Sequence, residues 1–380
     1  MNRKGEKILK FILLFAFFSL FVTSCQNSNN KAVKIENGLL MLNFKTQSES
    51  TVFSDRIFGK VEMTLLETDD NYLVGGYPDL LSDAHHYFIR DYQQQIVFRF
   101  DRGGKFINSI GRQGGGPTEY VEIQDIDLIP ADKIVEILDR NGKIIKFDYS
   151  GQFISSQSFG VDAFSFVKKD TDYWLYLGYE NAERKRLMKV SEDGKNIDLF
   201  SPFQTNWFTI TIQNFYRCGN LITYRDWCSH TLYHITDDGP VEKTIIDFGN
   251  YAFPKKVYQM KMETVLDNLR RNGMMIVDRY LENEQFVYLS FSKIQTGAPI
   301  KIYHWLVNKK TGNSVMQSFQ ANHMMQKADI LTEDNELVFI TNSQMLRDCN
   351  DPFFKINDDM RKSITDESNP IIITFKINDF

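Results

Sequence analysis

Three Arg-Asp dipeptides, Arg90-Asp91, Arg225-Asp226 and Arg347-Asp348, with Asp139-Arg140 as a reversed copy, are the side chains best suited to hold a ligand. A guanidinium fork matches a carboxylate through parallel hydrogen bonds, and it also serves sugar hydroxyls. Arg112 and Trp227 extend this set with a further cation and an aromatic face. The plainer reading is turn chemistry, because Asp bonds the backbone where a strand ends. Asp125, Asp162, Asn214, Asp278 and Asp329 form a second set of scattered oxygen ligands, the donor type that holds a divalent cation. No cofactor motif is present, and Ca²⁺ or another divalent cation among these carboxylates stays open. The six His show no metal-site spacing, and His234 and His304 read as structural. Gly114-Gly115-Gly116 lacks the Lys-Ser/Thr of a phosphate loop and reads as a tight crossover. No catalytic signature stands out. Tyr92, Tyr224 and Trp227 fall near the Arg-Asp turns, where aromatics stack on sugar rings or pack between sheets.

The N-terminus reads as an address. Arg3, Lys4, Lys7 and Lys10 precede an uncharged run from Phe11 to Val22. That run is too short for a hydrocarbon core of about 30 Å. It ends in Val22-Thr23-Ser24-Cys25, which resembles the bacterial lipobox, so residues 1–24 are expected to be a signal peptide and Cys25 the lipidated N-terminus. Residues 25–50 are expected to form a flexible, lipid-anchored tether, opened by the polar run QNSNNK. By resemblance to the enterobacterial sorting rule, in which Asp after the Cys retains a lipoprotein at the inner membrane, Gln26 points to the outer membrane, with its face left open. Cys218, Cys228 and Cys349 remain, which permits at most one disulfide.

The elements that position these residues come from a repeat. The chain has 380 residues, 42% hydrophobic, with 31 Phe, 17 Tyr and only 9 Pro, a composition that favours strands. With 44 basic against 49 acidic residues it has no basic excess for a nucleic-acid backbone. Phe100, Phe147, Val190, Ile235, Val307 and Ile377 each end an apolar run and are followed by Asp, Ser, Thr or Asn. Gly stands four residues after the first four of them and five after Val307. Such a run is a β-hairpin, with Gly at a φ > 0 turn position. Spacings of 47, 43, 45, 72 and 70 residues match four-stranded propeller blades, the long ones carrying inserts. Residues 254–271 supply a helical insert, with Tyr258, Met262, Leu266 and Leu269 as its stripe. Residues 342–369 supply a polar, irregular one. The last unit lacks a fourth strand, and Lys60–Thr68 is a spare one, expected to pair with Ile371–Asn378. The fold class is therefore all-β, a six-bladed β-propeller over residues 51–380 whose last blade is closed by the N-terminal strand.

The segment from Ile110 to Tyr120, IGRQGGGPTEY, with Leu66-Glu67-Thr68 and the Phe100-Asp101 hairpin, resembles the six-bladed β-propeller lipoproteins of Bacteroidetes, relatives of NHL-repeat proteins. Thr118 stands where that pattern has Gly. The resemblance delivers no reaction; the lipid anchor, the ring fold and the absence of a catalytic signature lead to the expectation of a cell-envelope lipoprotein whose propeller binds a ligand, a glycan or another envelope protein. The alternative is a metal-dependent hydrolase or lyase of the gluconolactonase-like propeller type, using carboxylates in the central channel. In a propeller the Arg-Asp turns share one face with the crossovers between blades.

Overall fold

The computed structural model describes residues 31–76, 78–178, 182, 184–202, 213–226, 229–254, 257–321 and 323–380. The expected signal segment and lipidation site, residues 1–24 and Cys25, lie outside the described residues, as do Trp227 and Cys228.

Six sheets form the six blades. Blade 1 is Asp79–Ser82, His86–Asp91, Ile96–Asp101 and Phe106–Ile110. Blade 2 is Ile123–Ile129, Ile134–Asp139, Lys143–Asp148 and Phe153–Ser158. Blade 3 is Ser165–Lys169, Asp172–Tyr176, Lys185–Ser191 and Ile197–Pro202. Blade 4 is Phe215–Cys218, Leu221–Arg225, Thr231–Thr236 and Gly239–Asp247. Blade 5 is Met274–Glu282, Phe286–Ile294, Lys301–Asn308 and Ser314–Gln320. Blade 6 is Ile330–Leu331, Glu336–Thr341 and Ile371–Ile377, with Phe58–Leu65 as its outer strand. The first strand of each blade touches the first strand of the next, and blade 6 touches blade 1, so the ring closes around an axis.

The closure pairs Ile371 with Leu65 and Lys376 with Lys60. Ends far apart in sequence are thereby joined, and the C-terminal strand Ile371–Ile377 is paired on both sides. All six repeat anchors are buried in third strands. The glycines after them have positive φ, from +74° at Gly312 to +138° at Gly239. Four of these also meet the preceding blade. A Cβ on Gly104 would collide with the Leu65 carbonyl, on Gly151 with the Ser109 carbonyl, and on Gly239 with the Phe200 ring, while Gly194 faces Gln157. The hairpin glycine therefore serves both the turn and the interlock between blades.

Two expectations are corrected. Most of the expected 25–50 tether that lies within the described residues is ordered. Val33–Glu36 and Leu39–Asn43 form a hairpin, and the second strand adds in parallel to the outer strand of blade 4. Asn37-Gly38 at its tip both have positive φ, the type I′ geometry that Asn-Gly favours. Val33, Leu40 and Leu42 are buried against Leu232, Ile246 and Phe248, which supplies the driving force. The chain then crosses blade 5, where Ser50 N–H bonds Met316 O and Val52 N–H bonds Gln317 Oε1. The helical insert is also shorter than expected. Helix α1 spans Met262–Asn272, and Gly273 at φ +70° ends it. Its buried face is Met262, Val265 and Leu269, while Leu266 is exposed, because the helix docks on Phe253, Val257 and Met274. The 342–369 insert holds two short helices, Ser343–Arg347 and Asp358–Ser363. Its Phe353 and Phe354 pack around Phe53, Phe58 and Phe375 and so clasp the closing strand.

Candidate functional site on the propeller axis

Asp79 opens the inner strand of blade 1 and lies opposite Arg90 at the end of the next strand. Arg90 is fully buried. Its Nη2 donates to Asp79 Oδ2 at 2.5 Å, and its Nη1 donates to Asp125 Oδ1 and Gln124 O of blade 2 at 3.1 and 2.7 Å. Arg279, on the inner strand of blade 5, donates from Nη2 to Asp79 at 3.1 Å and to Asp329 at 3.3 Å, and from Nη1 to the Tyr216 hydroxyl at 2.8 Å. Arg225 of blade 4 donates to Val277 O of blade 5 at 2.6 Å. Arginines thus cross-link blades 1 with 2, 4 with 5, and 5 with 4, 6 and 1, in one buried layer across the axis.

Burial pushes every carboxyl here upward, and the arginines decide how far each one goes. Asp79, between Arg90 and Arg279, is held at about 2 against that penalty. Asp125 rises to about 6, since burial outweighs the pull of Arg90 and the Phe166 N–H. Asp278 and Asp329 are also raised by burial. Lys327 stands near this layer, its pKa lowered chiefly by the like charge of Arg279 and then by burial.

The expected ligand residues separate into groups. Arg90 and Arg225 reach the axial layer. Asp91 fixes its turn instead, accepting from Gln93 N–H, Gln94 N–H and, across the crossover, Gly75 N–H. Asp139 does the same for blade 2, accepting from Val121, Glu122 and Arg140 N–H groups. Asp226 is buried with Arg186 and the Tyr176 hydroxyl. Arg140 is exposed, 3.6 Å from Glu122. Arg112 is exposed and bonds Glu119 of its own loop, whose other oxygen accepts from Gly116 N–H at 2.8 Å. The glycine-rich loop therefore closes on its own carboxylate. Arg347-Asp348 ends a short helix rather than a strand, and Arg347 reaches Asp366 at 2.8 Å.

The expected cation ligands stand in separate settings, and Asn214 Oδ1 is buried without a partner. Asp278 accepts from the Ser292 hydroxyl at 2.6 Å, Asn214 donates to Arg225 O at 3.0 Å, and Asp162 is exposed ahead of blade 3. Among the described residues, no three His, Cys, Asp or Glu side chains stand together as metal ligands. His304 is buried between the Tyr288 hydroxyl and Met325 O, and burial lowers it to about 3. Asp79 and Arg279 are absent from the sequence-based set. The signal for Arg279 was Asp278-Arg279, a reversed copy of the same dipeptide placed on an inner strand instead of at a turn.

An axial cavity of about 160 Å³ is lined by the inner strands of all six blades. It shares Cys218 and Glu282 with a groove of about 690 Å³ between blades 4, 5 and 6. Glu282 accepts from Lys309 Nζ at 2.6 Å and Tyr280 OH at 2.5 Å, and pairs with His234 Nε2 at 2.8 Å. Burial raises its carboxyl, but His234 and Lys309 prevail and hold it at about 2. Burial pushes the Cys218 thiol up to about 11, so it stays protonated and weakly nucleophilic at neutral pH.

A protein family described as "Domain of unknown function (DUF4934)" matches residues 40–376. The chain belongs to this family. No curated protein matches it. The family match spans all six blades and the closing strand. Among solved structures, the chain is similar to a Bacteroides fragilis protein described as a "putative exported protein", at TM-score 0.72 and 16% identity, covering 89% of this chain and 100% of that one. It is also similar to a member of the DUF4221 family from Bacteroides vulgatus, at TM-score 0.52 and 12% identity, covering 86% and 100% of the two chains. These likenesses are in fold.

Proposed function

We propose that the protein is an exported lipoprotein, anchored in the outer membrane through Cys25, whose propeller binds an envelope glycan or protein without altering it. The lipobox-like segment and the likeness to a Bacteroides protein described as exported support the location. The observation that carries the binding role is the axis. Its buried charges are bonded to one another across blades, which locks the ring, and a cavity remains that all six blades line. A rigid, pre-formed concavity of this kind is how proteins hold small ligands.

The anchor also fixes the placement of the ring. From Cys25 to Ala32, the chain reaches at most about 25 Å. Ala32 already accepts from Asn43 N–H on the edge of blade 4. That edge is therefore held close to the bilayer. The test is retention of envelope polysaccharide, its hydrolysate and envelope proteins on the immobilised mature chain. The expected result is that one component is retained and recovered chemically unchanged. Recovery of cleaved or otherwise altered material, or no retention, contradicts the reading.

A further inference from the structure

We propose that the axial cavity is the ligand site, and that its ligand is a neutral, hydroxyl-bearing six-membered ring, a pyranose or a cyclitol. This rests on the binding role just proposed and names the class of molecule bound.

Size sets the first limit. A cavity of about 160 Å³ compares with engineered cavities of about 150 Å³ that hold one benzene ring. One ring fits, and its substituents continue past Cys218 and Glu282 into the groove. The walls set the second limit. Leu128, Val167 and Leu281 with the rings of Phe166 and Phe215 present apolar surface to the faces of a ring. The carboxylates of Asp125, Asp127, Glu282 and Asp329 interrupt them, and a hydrocarbon occupant would offer these oxygens no donor.

Charge sets the third limit. Each carboxylate of the lining already faces a cation: Asp125 faces Arg90, Asp329 faces Arg279, Asp127 faces Arg217, and Glu282 faces Lys309 and His234. A charged ligand would lose its hydration without gaining a free counter-ion. A hydroxyl needs none, and it donates to the lone pairs these carboxylates keep.

The experiment is titration calorimetry on the detergent-solubilised, full mature chain. The probes are glucose, galactose, mannose, fucose and myo-inositol, with glucuronate, glucosamine and benzene as comparisons. The expected result is saturable binding of at least one neutral probe, exceeding that of glucuronate, glucosamine and benzene. Leu281→Trp, which fills the cavity, should abolish it. The ranking of probes on the unmodified chain reports on the site even where that variant fails to fold. Absence of binding by every neutral probe overturns the proposal. So does preference for a charged probe or benzene. If the immobilised chain retains an envelope component while every neutral probe fails here, the binding role stands and the cavity assignment falls.

Discussion

Arg279 is the residue on which the axis turns, since it bonds Asp79, Asp329 and Tyr216 from three different blades. Removing one partner of a buried ion pair strands the other, at a cost of about 3–5 kcal/mol. Arg279→Met should lower the unfolding free energy by that order, read from urea denaturation. A change below about 1 kcal/mol, the range of a surface pair, would contradict the cross-link. Asp125 makes a second prediction, in pH. Its folded value of about 6 lies above the unfolded one, so the native state binds the extra proton between about pH 4 and 6. Stability from this group is therefore present below pH 4 and lost as pH rises through 6, by about 3 kcal/mol in all. Asp79 runs the other way: its contribution is present above pH 4 and is lost as pH falls towards 2. Asp125→Asn should flatten the fall in stability between pH 4 and 7. An unchanged slope would show that Asp125 is not the group responsible. Sequence showed that Arg90 and Arg225 stand where strands end. It did not show that they turn inward, because that depends on which face of each strand meets the axis and on acids in other blades. Asp91 and Asp139 proved to be turn residues for the reason that made Asp a turn signal at the outset.

At the scale of elements, the hairpins were legible because their chemistry is local: an anchor, a bonding side chain and a glycine. Their second duty was not, because the atom that Gly104 meets belongs to Leu65, on the closing strand. This separates two glycines with the same turn geometry. Gly312 at φ +74° has open space around its Cα, so Gly312→Ala pays only for the left-handed backbone, about 1–2 kcal/mol. Gly104→Ala pays that and must also push Leu65 away. Thermal unfolding should rank Gly104→Ala clearly below Gly312→Ala, and equal midpoints would contradict the interlock. The N-terminal hairpin was missed although Asn37-Gly38, flanked by Val33, Ile35, Leu40 and Leu42, carries a hairpin signal. Its partner is a parallel strand some two hundred residues away, and nothing local to the sequence names that partner. The register of helix α1 slipped for a similar reason: Val265 faces a core built by residues outside the helix.

At the scale of the molecule, the parts depend on the ring being closed. The Arg–Asp layer needs blades 5, 6 and 1 side by side, and the cavity needs all six inner strands. The N-terminal segment contributes twice, as an added hairpin on the edge of blade 4 and as the outer strand of blade 6. Only the second role closes anything. The closing strand also carries Phe58, which is buried against Phe375 with ring centroids 4.8 Å apart. Its loss would remove a ladder of hydrogen bonds, a buried aromatic contact and the seat of Gly104 together. The most direct measurement is thermal unfolding of two shortened chains, one beginning at residue 48 and one at residue 66. The first should keep a single cooperative transition within a few degrees of the chain that begins at residue 25. The second should lose that transition or show it far lower. Equal midpoints for the two would mean that the ring is not held shut by its N-terminal strand.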